Sequence, residues 1–163
     1  MQLLISDANI LIDLEEGELI EHMFQLPFVF SIPDILFLEE LEDEHQYLLD
    51  IGLRLDELSS ESMLFGFQLA QQYRKPSRND CLALALAKHE ECPLLTGDRD
   101  LRKAAENEAV VVMGTLWIIE QLIVNTLISI EQARAAYSKM RVAGRRLPWN
   151  LAEQALIEIE KDL

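Results

Sequence analysis

Leu3-Leu4-Ile5-Ser6-Asp7 runs a short apolar strand into an aspartate just where the next helix, Ala8-Asn9-Ile10-Leu11-Ile12, begins. Far downstream, Pro93-Leu94-Leu95-Thr96-Gly97-Asp98 does the same ahead of Arg99-Asp100-Leu101-Arg102. In an open parallel sheet, ligands bind in the crevice outside the carboxyl ends of the strands. Two acids at that edge, from distant segments, describe a carboxylate site. Such a cluster repels itself unless something positive sits in it, and a metal ion is the simplest occupant.

The rest of the chain supplies a sheet for those strands. Residues 2–6, 27–33, 53–56, 93–96 and 109–113 read as strands, from their β-branched or apolar runs between turn residues. Residues 9–22, 34–50, 60–74, 78–91, 99–107 and 116–127 read as helices from apolar spacing, with Gly52 stopping the second. The run Asp80-Cys81-Leu82-Ala83-Leu84-Ala85-Leu86-Ala87 is apolar nearly all round, which predicts a buried helix. This alternation predicts an α/β fold, a three-layer α/β/α arrangement around a central, mostly parallel sheet. After residue 128 the strand signals stop. Two further helices, 130–143 and 150–162, are predicted, joined by Gly144-Arg145-Arg146-Leu147-Pro148-Trp149, with Ser129 as the cap of the first. The expected organisation is a domain over 1–128 and a C-terminal helical extension over 129–163, packed on that domain or on a partner.

A chain of 163 residues fits one core. Its apolar stretches are broken by charge well short of a bilayer span, and it opens on a strand-like run without a basic flank or cleavage site. Cys81 and Cys92 lack metal-ligand spacing, and Cys81 reads as a buried free thiol. The expectation is a cytoplasmic protein with no membrane partner. The net charge of −15 is uneven, with 16 acids and only Arg54 as a base in residues 1–70. General attraction to nucleic acid is thereby excluded. Any such contact must use local bases, among them Lys75, Arg78, Arg99, Arg102, Lys103, Arg141, Arg145 and Arg146. Most of the acids read as a solvated face.

Taken singly, each acid near the sheet edge has a simpler explanation. Asp7 and Asp98 suit helix N-caps. Asp80 stands at capping-box spacing from Ser77. Glu39 and Glu40 lie in an acidic helix with Glu42, Asp43 and Glu44. Together they read differently, because Asp80 begins the buried helix that leads straight into the Asp98 strand. Oxygen donors without histidine or cysteine favour a hard ion, Mg2+ or Mn2+.

The order Asp7-x-Asn9, an acid in the second long helix, Ser77-x-x-Asp80 before an alanine-rich helix, and Leu95-Thr96-Gly97-Asp98 resembles the PIN domain. The resemblance spans roughly residues 1–125. It implies a metal-dependent nuclease, and VapC-type toxins of toxin–antitoxin pairs are among its members. By this resemblance Asp7, Glu40, Asp80 and Asp98 are the catalytic acids, with Asp100 as an accessory near the metal. Glu40 fits best because Leu41 follows it, with Glu39 one position away as the alternative. Asn9 and Thr96 match polar positions that orient the acids or the bound water, and Ser77 matches the helix cap ahead of Asp80. Arg78, Arg99 and Arg102 are candidates for contact with RNA phosphates.

The implied reaction is hydrolysis of RNA by water activated at Mg2+ or Mn2+. None of His22, His45 and His89 is placed for catalysis. The implied partners are an RNA substrate, a small antitoxin protein and a second copy in a homodimer. Two other readings stand beside the ribonuclease. One is a catalytically weak PIN-fold regulatory module acting through a protein partner. The other is a phosphohydrolase on another doubly wound fold, which would need an Asp-x-Asp where the chain has Asp7-Ala8-Asn9.

Overall fold

The first strand is the central one. In the computed structural model, which describes residues 1–163, β1 (Gln2–Ser6) is flanked by β2 (Phe28–Pro33) and β4 (Leu94–Leu95). β3 (Arg54–Asp56) lies outside β2, and β5 (Val112–Met113) lies outside β4. The order is β3-β2-β1-β4-β5, and all four pairings are parallel. The chain thus winds outward to β3 and then crosses to the opposite side of β1. That reversal puts the ligand-binding crevice of an open α/β sheet between β1 and β4. Ser6 is in register with Leu95, and the Asp7 amide donates to the Leu95 carbonyl at 3.0 Å. Asp7 and Thr96 therefore leave the sheet side by side.

Helices fill every crossover. α1 (Ala8–Glu16) and the short α2 (Ile20–Met23) link β1 to β2. α3 (Asp34–Glu40), α4 (Glu42–His45) and α5 (Tyr47–Ile51) link β2 to β3. α6 (Ser60–Gln72) and α7 (Arg78–His89) make the long crossover to β4, and α8 (Arg99–Asn107) leads to β5. α9 (Thr115–Val124), α10 (Ile130–Val142) and α11 (Trp149–Lys161) complete the chain. α7 packs across β1, β2 and β4, and every residue from Cys81 to Ala87 is buried, as its all-round apolar sequence predicts. Cys81 and Cys92 are both buried free thiols, and burial pushes each up to about 11.

Two predicted helices are divided. Residues 9–22 form α1 and α2, because Gly17 ends the first and Glu18 takes a left-handed φ of 59°. Residues 34–50 form three short helices rather than one. Like charges four apart, Glu39 with Asp43 and Glu40 with Glu44, oppose a continuous helix there. Leu41, at φ −123°, is the step between the first two segments.

α10 packs on α1 and α9, and α11 packs on α9 and α10. Ala133, Ala136, Met140, Ala152 and Leu156 join the same apolar cluster as Leu4, Ile10 and Ile119. Gly17 permits the approach of α10, since a Cβ at that position would stand 2.7 Å from Cε of Met140. Trp117 packs on Phe28 with centroids 5.4 Å apart, and Trp149 meets Tyr137 edge-on beside Arg141. No helix is long and apolar enough to cross a membrane.

Candidate active site

Three acids begin three helices at the carboxyl edge of the sheet, and the capping bonds fix how each is held. Asp7 caps α1, its Oδ1 accepting from the Ile10 amide at 3.0 Å. Asp98 caps α8, its Oδ1 accepting from the Leu101 amide at 2.8 Å. Asp80 closes a capping box with Ser77: each side chain accepts from the other's amide at 3.1 Å. In each acid one carboxylate oxygen serves its own helix. Capping and clustering are therefore not alternatives here, because the caps are what aim the acids.

Thr96 ties two of them together. Its hydroxyl donates to Oδ2 of Asp7 at 2.5 Å and accepts from the Asp98 amide at 3.0 Å. Thr96 is wholly buried and Asp7 is 2 % exposed. Burial is the main reason that the Asp7 carboxyl is raised to about 7. The Thr96 and Ile10 hydrogen bonds oppose the shift, and the charges of Asp80 and Asp13 add to it. Burial likewise raises Asp80 against its Ser77 hydrogen bonds, and Asp98 and Glu40 push it further. These mutual effects place Asp7, Asp80, Asp98 and Glu40 in one electrostatic neighbourhood.

No basic side chain pairs with Asp7, Asp80 or Asp98. The adjacent glutamates on α3 are handled differently. Glu39 is paired with Arg78, whereas Glu40 accepts only from the amide of Asn79, at 2.8 Å. Arg78 is thereby engaged at the surface, while Arg99 and Arg102 carry no ion pair. Asp100 is half-buried in the first turn of α8.

Asn9 does not touch the acids. Its side-chain oxygen accepts from Nη2 of Arg145 at 3.2 Å, and its carbonyl does so at 3.3 Å. Nε of the same arginine donates to Oδ1 of Asp13 at 2.6 Å, and Thr115 donates to Oδ2 at 2.7 Å. Asp13 is a buried acid beside the site that sequence reasoning passed over. Its position three residues after Ile10, on the apolar stripe of α1, was the available signal.

The donor set is chemically suited to a hard divalent ion. It comprises several carboxylates without ion-pair partners, one of them, Asp7, raised to about 7 chiefly by burial. In the conformation described, no three His, Cys, Asp or Glu side chains converge closely enough to share one ion.

A family model described as PIN domain matches residues 3–161, nearly the whole chain. The chain belongs to the PIN domain family. No curated protein matches it. Among solved structures, it is similar to a PilT N-terminus domain protein of the hyperthermophilic archaeon Sulfolobus solfataricus, at 16 % identity and a TM-score of 0.47. That likeness covers 76 % of this chain and 92 % of that one. It is also similar to a chain of VapBC2 from Rickettsia felis, solved bound to a DNA fragment from their promoter. That match has 15 % identity and a TM-score of 0.49, and it covers 69 % of this PIN-domain chain and 98 % of that one.

Proposed function

We propose that this PIN-domain protein is a metal-dependent endoribonuclease in which Asp7, Glu40, Asp80 and Asp98 hold Mg2+ or Mn2+, with Asp100 in support. The observation that carries the reading is the unpaired state of the edge acids. Asp7 is buried, is raised to about 7 and feels the charge of Asp80, and neither acid has an ion-pair partner. A fold tolerates that arrangement when a cation completes it. Bound there, the ion would lower the pKa of a water and polarise the phosphodiester.

The chain's own residues supply position. The helix caps on α1, α7 and α8 fix the carboxylates of Asp7, Asp80 and Asp98. Thr96 holds Asp7 and the Asp98 backbone in register. Ser77 keeps Asp80 at the start of α7. No protein nucleophile is required, and His45 is occupied by Glu15, at 3.0 Å from its Oε1.

Within that reading, the protein is the toxin of a toxin–antitoxin pair, with a small antitoxin protein and a second copy of itself as partners. The resemblance to VapC-type members supports this. Light scattering of the protein with and without the product of an adjacent small reading frame tests it. The regulatory-module alternative is favoured by one observation, that no three carboxylates converge.

Incubation of the purified protein with single-stranded RNA in Mn2+, Mg2+ or EDTA decides between them. Cleavage that requires the ion and disappears in Asp98→Asn is expected. Cleavage that persists in EDTA would remove the proposal.

A further inference from the structure

Beside the acids lies a cavity of about 880 Å3, bounded by α8, the start of α9 and the loop between α10 and α11. Asp98 stands on its lining, together with Arg99, Arg102, Arg145 and Arg146. The chain has nine arginines. Arg54, Arg78, Arg134 and Arg145 are in ion pairs, and Arg141 lies over Trp149. Arg74, Arg99, Arg102 and Arg146 make no such contact, and the last three of these open onto this cavity. In a chain of net charge −15, three of the four arginines without a partner gather at this cavity.

The loop that brings Arg146 there is firmly seated. Gly144, at φ +84°, turns the chain at the end of α10, and the Arg145 amide donates back to the Met140 carbonyl at 2.9 Å. The Arg145 side chain is locked onto Asp13 and Asn9. Arg145 therefore acts as the anchor, and Arg146, which is exposed, faces outward as a free cation. Leu147 and Leu151 add an apolar wall to the same cavity, and Leu151 is 59 % exposed without a partner. The acids on the lining are Asp13, already neutralised by Arg145, Asp98 and Glu106.

We propose that this cavity is the binding path for single-stranded RNA, with Arg99, Arg102 and the C-terminal Arg146 on its phosphates and the Leu147–Leu151 wall beneath its bases. Free arginines along one side suit a phosphate backbone. An apolar wall suits unstacked bases, which a duplex would keep to itself. The C-terminal extension is then half of the substrate site. The inference rests on the nuclease reading for its substrate but concerns binding, which is measured apart from cleavage.

The experiment is fluorescence anisotropy of a labelled single-stranded RNA with the full chain. It is run in EDTA and again in Mg2+ in an Asp7→Asn background. Arg102→Ala and Arg146→Ala are each expected to weaken binding roughly three- to tenfold and to lower the salt slope by about one. Lys161→Ala, at the far end of α11, is expected to bind as the unaltered chain does. Circular dichroism of the exposed Arg146→Ala variant verifies its fold. Wild-type affinity and slope in both arginine variants would overturn the proposal, as would equal affinity for duplex RNA. If those variants bind normally while ion-dependent cleavage persists, the path is wrong and the nuclease reading stands. If they lose binding and the unaltered chain cuts nothing, the path stands and the nuclease reading falls.

Discussion

Asp7 and Asp13 lie six positions apart at the start and in the body of α1, both are buried, and the fold treats them in opposite ways. Asp13 has a complete set of partners, with Arg145 on one oxygen and Thr115 on the other. Asp7 has a helix amide and a hydroxyl but no base, and acidic neighbours besides. A buried charge without a counter-charge is among the most costly features a fold can carry. One acid is therefore closed by partners within the chain, while the other has no counter-charge.

The sharpest way to break this contrast is to neutralise each acid and measure both activity and stability. Asp7→Asn or Asp98→Asn is expected to lower ion-dependent RNA cleavage by roughly three orders of magnitude, since holding a metal is worth several kcal/mol at the transition state. Asp7→Asn should cost no stability at neutral pH. Retained cleavage with either change would return these acids to the role of simple helix caps.

The next effect is the pH dependence of the metal-free protein. Asp7 is raised from its usual 3.8 to about 7 in the fold. Between those values the folded state holds a proton that the unfolded chain has released, so stability falls as pH rises. The penalty is absent below about 4, grows toward pH 7 and is complete above it, reaching up to about 4 kcal/mol. Thermal melts in EDTA should show that slope in the unaltered chain and much less of it in Asp7→Asn, where Asp80 remains raised. Mg2+ should raise the melting temperature most above pH 7, where it replaces the missing proton. A flat pH profile in EDTA would show that burial does not raise Asp7 in the fold.

Breaking the closed acid has the opposite signature. Arg145→Met leaves Asp13 buried with Thr115 alone and is expected to cost about 3 kcal/mol in urea unfolding. Adding Asp13→Asn should recover much of that, because the amide oxygen still accepts from Thr115 while the stranded charge is gone. A double variant as unstable as Arg145→Met would mean that the arginine contributes by packing instead.

These two acids also show what a sequence discloses. Asp7, Thr96 and Asp98 were legible because each sits at a strand-to-helix junction, where local patterning fixes both position and direction. The parallel sheet and the buried α7 were legible for the same reason, from period and apolar run. The Asp13–Arg145 pair was not, because 132 residues separate its members and only packing of α10 on α1 brings them together. The engagement of Asn9 by that distant arginine was hidden for the same reason. The division of residues 34–51 was hidden as well, since apolar spacing there agrees with a single helix and the repulsion along its acidic side does not register as a period.

The smallest test applies the same rule to two adjacent residues. Glu39 and Glu40 differ by one position on α3, but Arg78 neutralises the first, while the second faces Asp80 with only an amide from Asn79. If unpaired acids mark the metal site, Glu40→Gln should depress ion-dependent cleavage and Glu39→Gln should leave it unchanged. Stability separates them little, because the Glu39–Arg78 pair is exposed and its loss is worth less than about 0.5 kcal/mol. The comparison is therefore read in cleavage rate, not in melting temperature. A Glu39→Gln variant that loses activity while Glu40→Gln keeps it would mean that pairing with an arginine does not exclude an acid from the site, and the contrast drawn between Asp7 and Asp13 would lose its force with it.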